Sequence, residues 1–267
     1  MSDANHLHSG DFDQTLADAL ERFASRDEVF VALDFDGTLS EIVDRPMDAR
    51  PAPGAIDIVE RLAALPGVTV SLVSGRGLKE LAELSGPPAH AHLIGGHGAQ
   101  YSDGLPLPSP AEGMDEAAYE RVLDKLRALS VEDPGLEVER KATGVALHYR
   151  RADAEHGERV AREAERELGA MDGVHVKTGK KVVEFSLVDA SKGKALEAVR
   201  QALDVEATLF IGDDVTDEEG FAVLGPQDVS VKVGEGATRA THRVADPGEV
   251  VQLLAMLLER RQQQTKA

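Results

Sequence analysis

The chain has 267 residues, 42% of them apolar and 29% charged, a size and composition that suit one large folded domain or two smaller ones. Lys and Arg number 29 against 48 Asp and Glu, and the resulting net charge of −19 repels phosphate backbones, which argues against nucleic acid as the partner. There is no Cys, which excludes disulfides, thiolate nucleophiles and Cys-ligated zinc. No apolar run approaches the ~20 residues of a membrane span. The longest candidate, Val250 to Leu258, is interrupted by Gln252 and reads as the buried face of a last helix. Met1 to Arg26 carries Asp and Glu where a signal peptide has a basic start and an apolar stretch, so the expected location is cytoplasmic, with no membrane partner.

After a polar tail, Leu16, Ala19, Leu20 and Phe23 follow a short helical period. Val29-Phe30-Val31-Ala32-Leu33 is a continuous apolar run rich in strand formers, read as a buried parallel strand. A helix is expected from Ala55 to Leu65, broken by Pro66-Gly67, then a second buried strand from Val68 to Val73. A helix from Leu78 to Leu84 and a short strand at Leu93-Ile94 follow, the strand running into Gly95-Gly96-His97-Gly98. This alternation predicts a parallel α/β sheet with right-handed crossovers.

The texture changes at Pro106-Leu107-Pro108-Ser109-Pro110, a stiff connection and a candidate hinge. Beyond it come a helix from Glu116 to Leu129, strands Leu136 to Arg140 and Val145 to Arg150 around Thr143-Gly144, a helix from Arg159 to Leu168, and strands Val174 to Lys177 and Lys181 to Leu187 around Thr178-Gly179. Helix plus hairpin, twice, predicts an α+β unit with an antiparallel sheet and the outline of an internal duplication. The α/β rhythm then returns: a helix from Lys192 to Leu203, a strand from Thr208 to Ile211, a helix near Asp217 to Val223, a strand from Val229 to Val233 and a helix from Glu249 to Arg260. The parse is a doubly wound parallel-sheet core, residues 1–109 and 189–267, with an α+β cap domain, residues 110–188, inserted into it.

Four polar signals stand at strand ends or helix starts of the core. Asp34-Phe35-Asp36-Gly37-Thr38-Leu39 follows the first strand directly, and Gly37 permits a tight turn there. Ser74-Gly75-Arg76 closes the second strand, Lys192-Gly193 opens the helix after the insert, and Gly212-Asp213-Asp214-Val215-Thr216-Asp217 closes the strand from Thr208. Ligands of open parallel sheets bind beyond the carboxyl ends of the strands, so these groups are expected at one edge. Carboxylates packed so densely repel one another unless a cation lies among them. Taken singly, each signal also reads as a turn or a helix cap, and Arg76 as a tie between loop and helix.

DFDGTL, SGR, KG and GDDVTD, in that order, resemble the four motifs of the haloacid dehalogenase superfamily of phosphotransferases. The resemblance implies Mg²⁺ among the aspartates. Asp34 matches the nucleophile that takes the phosphoryl group. Asp36 matches the general acid/base, which also ligates the metal through its backbone carbonyl. Ser74 and Lys192 match the phosphate-holding positions, and Gly75 and Arg76 of the same loop are expected to bind the phosphate with them. Asp213 matches a direct metal ligand, and Asp214 and Asp217 outer or alternative ones. The chemistry is consistent: Mg²⁺ takes oxygen ligands, and a carboxylate nucleophile splits one hard hydrolysis into two easier steps.

More specific patterns are Gly96-His97-Gly98-Ala99, Glu139-Arg140-Lys141 followed by His148-Tyr149-Arg150, Gly179 to Phe185, and Val231 to Thr238. With GDDVTDEEGF they resemble trehalose-6-phosphate phosphatases. This implies hydrolysis of a small sugar phosphate, trehalose 6-phosphate, with Glu139, Lys141, His148 and Glu184 of the cap binding the sugar hydroxyls. It also implies a trehalose-6-phosphate synthase as the pathway partner. The cap is expected to be mobile, closing over the sugar on hinges near Pro106 to Pro110 and Asp189. Cross-strand ion pairs on a solvated sheet face are the alternative for Glu139, Lys141 and Glu184. Another sugar phosphatase of the superfamily (acting on sucrose or mannosylglycerate phosphate) and a non-catalytic sugar-phosphate sensor are the alternative functions.

Overall fold

A computed structural model describes residues 12–86 and 89–264. The polar tail expected before the first helix lies outside the described residues. Two compact units are present, one made of the described residues up to Leu107 together with those from Ser191, the other of Pro108 to Ala190. The divisions fall two residues from the expected boundaries at 109/110 and 188/189.

In the first unit, β1 (Val29–Leu33), β2 (Val68–Val73), β3 (His92–Gly95), β4 (Gln100–Tyr101), β9 (Ala207–Gly212), β10 (Val229–Val233) and β11 (His242–Val244) form one sheet in the order β11-β10-β9-β1-β2-β3-β4. Each pairing is parallel except β3 with β4. The apolar runs are buried because both faces of the sheet are covered. Val29, Val31 and Leu33 pack with α1 (Gln14–Ala24), α2 (Ala55–Ala63), α3 (Leu78–Ser85) and α8 (Pro247–Gln264). Phe30 and Ala32 point the other way, into a cluster with α6 (Lys192–Leu203) and α7 (Asp217–Ala222), where the Phe210 and Phe221 rings stand 5.2 Å apart. Strand order runs outward from β1 in one direction through β2 and β3, and from β9 in the other through β10 and β11. The boundary between β1 and β9 is therefore the switch point at which such sheets bind ligands.

The second unit holds α4 (Glu116–Ser130), β5 (Glu137–Lys141), β6 (Gly144–His148), α5 (Ala154–Leu168), β7 (His175–Gly179) and β8 (Val182–Ser186). Its antiparallel sheet has the order β5-β6-β8-β7, so each helix-plus-hairpin half puts its second strand in the middle. That symmetry matches the duplication outlined in the sequence. Val145, Leu147, Val183 and Phe185 cover one face of the sheet and pack on Val122, Leu126, Val160 and Ala164 of the two helices.

Three details depart from the sequence expectation. α5 begins five residues before Arg159, because the Asp153 side chain accepts from the His156 N–H at 3.0 Å and caps a polar first turn that shows no apolar period. The hairpin turns are Ala142-Thr143 and Lys180-Lys181, not Thr143-Gly144 and Thr178-Gly179. Gly144 is a strand residue paired with Lys141 and Ser186, where a Cβ would lie 2.3 Å from the Phe185 carbonyl oxygen, and Lys181 takes the left-handed turn conformation, at φ 64°. The short strands β4 and β11 carry too few residues for a period to show. Among the described residues, no helix is long and apolar enough to cross a membrane.

Candidate active site

Strand register decides how the polar signals of the first unit meet. Leu33 of β1 pairs with Ile211 of β9, so Asp34 and Gly212-Asp213 leave the sheet side by side. The Asp34 N–H donates to the Ile211 carbonyl at 2.9 Å and prolongs the ladder by one residue. Lys192 opens α6, and its Nζ donates to Asp34 Oδ1 at 2.5 Å and to Asp217 Oδ1 at 2.6 Å. All three residues are buried. The other oxygen of Asp217 accepts from the N–H groups of Asp213 (3.0 Å) and Asp214 (2.9 Å), so this aspartate braces both the lysine and the loop that presents Asp213.

Oxygens of Asp34, Asp213 and Asp217 lie within 4.8 Å of one another. Burial pushes the Asp34 carboxyl well above the aspartate range, with Asp217 adding to the rise and Lys192 opposing it. Asp213 is pushed up to about 6, by burial first and then by Asp217 and Asp214. Burial disfavours the charged Lys192, but Asp34 and Asp217 outweigh it and hold the ammonium above the usual lysine range. Asp213 Oδ1 is buried without a hydrogen-bond partner among the described residues. An all-oxygen cluster with an orphaned carboxylate oxygen fits a hard cation. Asp214 stands outside this triad and is exposed.

Asp36 lies across Gly37 from the cluster. Its carboxylate accepts from Arg76 Nε at 2.6 Å and from Arg76 Nη2 at 2.7 Å. Expected at the phosphate, Arg76 is instead tied to Asp36, to Glu80 and, at 2.8 Å, to the Pro46 carbonyl. Ser74 is buried at the end of β2, with its Oγ accepting from the Arg76 N–H at 3.2 Å. Gly75 is pressed against the His97 ring, which a Cβ there would approach to 2.5 Å, so His97 helps shape this loop.

Within the second unit, Glu139 pairs with Ala146 and Ala146 with Glu184. With two-residue alternation this puts Glu139, Lys141, His148 and Glu184 on the polar face of the sheet, opposite its apolar face. Lys141 is ion-paired with Glu184, and His148 Nε2 lies 2.7 Å from Glu139 Oε2. The ion-pair alternative thus describes contacts these residues make, and all four remain partly exposed. Lys177, paired with Glu184 in register, shares this face and was missed from the sequence.

A family model described as trehalose-phosphatase matches residues 32–247. The chain belongs to the trehalose-phosphatase family. A trehalose-phosphate phosphatase of Mycobacterium ulcerans is 35% identical over 264 residues, an alignment covering 91% of this chain and 66% of that protein. A Mycobacterium tuberculosis protein of the same name is 33% identical over 255 residues, 89% of this chain and 64% of its own length. This chain thus spans about two thirds of the length of these curated relatives. The structure of Aspergillus fumigatus trehalose-6-phosphate phosphatase is 29% identical and aligns with a TM-score of 0.72 over 91% of this chain and 97% of that one. The mostly parallel sheet with an α+β insert, expected from the sequence, is the architecture observed.

Two residues of the core unit were also missed. Lys232 is buried on β10 opposite Gly212, and its charge opposes the rise at Asp213. A lysine inside the apolar strand Val229–Val233 was a signal that could have found it. Glu80, one helical turn beyond Arg76, carried no sequence signal of its own.

Proposed function

We propose that this chain is a Mg²⁺-dependent phosphatase that hydrolyses trehalose 6-phosphate to trehalose and phosphate. The observation that carries the reading is the buried Asp34, bonded to Lys192 at a sheet switch point beside the orphaned Asp213 oxygen, in a chain of this family. Asp34 attacks phosphorus, forming an aspartyl phosphate as the bond from phosphorus to the sugar oxygen breaks. Asp36, protonated, gives its proton to that oxygen. As a carboxylate it then takes a proton from the water that attacks the same phosphorus, and phosphate leaves with Asp34 regenerated. Ser74 and Lys192 hold the phosphoryl oxygens. Asp34 and Asp213, with the Asp36 carbonyl, would hold Mg²⁺, which supplies positive charge against the phosphoryl oxygens. Asp217 positions Lys192 and the Asp213 loop, and Glu139, Lys141, His148 and Glu184 recognise the sugar. A charged sugar phosphate does not cross membranes unaided, which suits a cytoplasmic enzyme fed by a trehalose-6-phosphate synthase.

The test is phosphate release from a panel of sugar phosphates, with and without Mg²⁺. Trehalose 6-phosphate with Mg²⁺ should be the fastest combination, and Asp34→Asn should abolish it while leaving the unfolding temperature within a few degrees. A faster sucrose or mannosylglycerate phosphate would reassign the substrate. Tight binding of trehalose 6-phosphate without release would make the chain a sensor.

A further inference from the structure

We infer that Arg76, backed by Glu80, is a positioning residue that sets the carboxylate of Asp36 in place, and is not a ligand of the phosphate. The inference rests on the phosphatase reading above for the role of Asp36, and on geometry for the rest. Arg76 follows Ser74-Gly75 at the end of β2, where a phosphate-holding role is the obvious assignment for an arginine. Its guanidinium is already committed. Nε and Nη2 take the two oxygens of Asp36 in a fork, Nη2 also donates to the Pro46 carbonyl, and Nη1 donates to Glu80. Four of the five N–H groups of a guanidinium are thereby used on the protein. The Arg76 side chain is 10% exposed, against 36% for Asp36 and 38% for Glu80, so the buried member of this chain of contacts is the arginine.

The arrangement does what a general acid/base requires. Asp36 sits in a turn next to Gly37, which has φ 79°, and among the described residues its carboxylate is held by Arg76. A two-point fork to a planar guanidinium removes its rotation, which a single ammonium contact does not. Glu80 is anchored in the first turn of α3 and the Pro46 carbonyl in the segment before α2, so the guanidinium is fixed from two further sides. The clamped form is the carboxylate, the form that activates water in the second half of the reaction. Misplacement of a catalytic group by about 1 Å costs on the order of 100-fold in rate.

The experiment uses the full chain with Mg²⁺ and the variants Arg76→Met, Arg76→Lys, Glu80→Gln and the double variant Arg76→Met/Glu80→Gln, each checked for its unfolding temperature. Turnover is read on trehalose 6-phosphate and on p-nitrophenyl phosphate, and binding of inorganic phosphate by calorimetry. Arg76→Met should lower kcat by ~100-fold, with KM and the phosphate Kd moving by less than ~3-fold. Arg76→Lys keeps the charge without the fork and should not rescue kcat. Glu80→Gln should lower kcat by ~3- to 10-fold alone and add nothing in the double variant, since it acts through Arg76. A phosphate Kd weakened ~10-fold or more in Arg76→Met with kcat preserved would make Arg76 a phosphate ligand and overturn the inference. Full rescue by Arg76→Lys, or additive losses in the double variant, would overturn it as well. Should the parent turn over only p-nitrophenyl phosphate, the trehalose reading falls while the kcat and KM comparison still decides the role of Arg76. Should it turn over neither, the phosphatase reading falls, and the phosphate titration decides: unchanged affinity in Arg76→Met supports the inference and weakened affinity overturns it.

Discussion

At Gly37 the backbone has φ 79°, and a Cβ would stand 2.1 Å from an Asp213 carboxylate oxygen. Both facts demand glycine, the first for conformation and the second for room. Gly37→Ala should therefore displace Asp213, lower Mg²⁺-dependent turnover at least ~10-fold and cost the fold about 1–3 kcal/mol in a denaturant titration. Unchanged turnover would show that the two loops are free to separate. Asp213 carries the second residue-scale consequence. Its carboxyl is raised from the ordinary 3.8 to about 6, so without metal the folded chain binds this proton more tightly than the unfolded chain does. By linkage, this group's contribution to metal-free stability falls as pH rises from about 4 to about 6, and stays lowered above. A cation at Asp213 displaces that proton. The rise in unfolding temperature on adding Mg²⁺ should be largest at pH 7–8 and shrink below about pH 6, and Asp213→Asn should flatten the dependence. A Mg²⁺ effect that grew toward acid pH would remove Asp213 from the metal site.

At the scale of elements, the sheet of the second unit has one apolar and one polar face. Val145, Leu147, Val183 and Phe185 hold it to α4 and α5, while Glu139, Lys141, His148 and Glu184 stand on the opposite side. Substitutions on the polar face therefore leave the apolar packing intact. Glu139→Ala, Lys141→Ala and Glu184→Ala should each lower kcat/KM for trehalose 6-phosphate by ~10- to 200-fold, or about 1–3 kcal/mol of lost recognition. The same proteins should hydrolyse p-nitrophenyl phosphate nearly as the parent does, because that ester offers no sugar hydroxyls. Equal losses on both esters would show that these residues serve the fold or the chemistry, not the sugar. The expectation that these residues meet a sugar came only from the family resemblance. As isolated strand charges they read equally well as ion pairs, and Lys141 with Glu184 is one.

Across the whole molecule the net charge is −19, and its ion pairs lie mostly between exposed side chains, where each contributes little. Repulsion among the excess carboxylates acts over roughly 10 Å at 0.1 M salt and is screened beyond that. Raising NaCl from about 0.01 M to about 0.3 M should thus increase the unfolding temperature by a few degrees. A decrease would mean that attractive pairs outweigh the excess charge. The same screening should matter less to the Asp34, Lys192 and Asp217 cluster, which is buried.

The sequence by itself determined the α/β rhythm, the antiparallel insert and the positions of Asp34, Ser74, Lys192 and Asp213, because buried strands read as apolar runs and the polar groups stand directly beyond them or, for Lys192, at the start of a helix. It did not determine the order of the strands, since pairing is a long-range choice that leaves no local period. That order is what puts β9 beside β1 and so Asp213 beside Asp34. Only the tertiary structure decided the partners of polar side chains. Asp217 bonds to Lys192 and two backbone amides, Arg76 bonds to both oxygens of Asp36, and Lys232 lies near Asp213 on a strand that reads as core. A carboxylate or guanidinium looks the same in sequence whichever neighbour it meets. Its role is settled by which oxygen or N–H lies within about 3 Å once the sheet has closed.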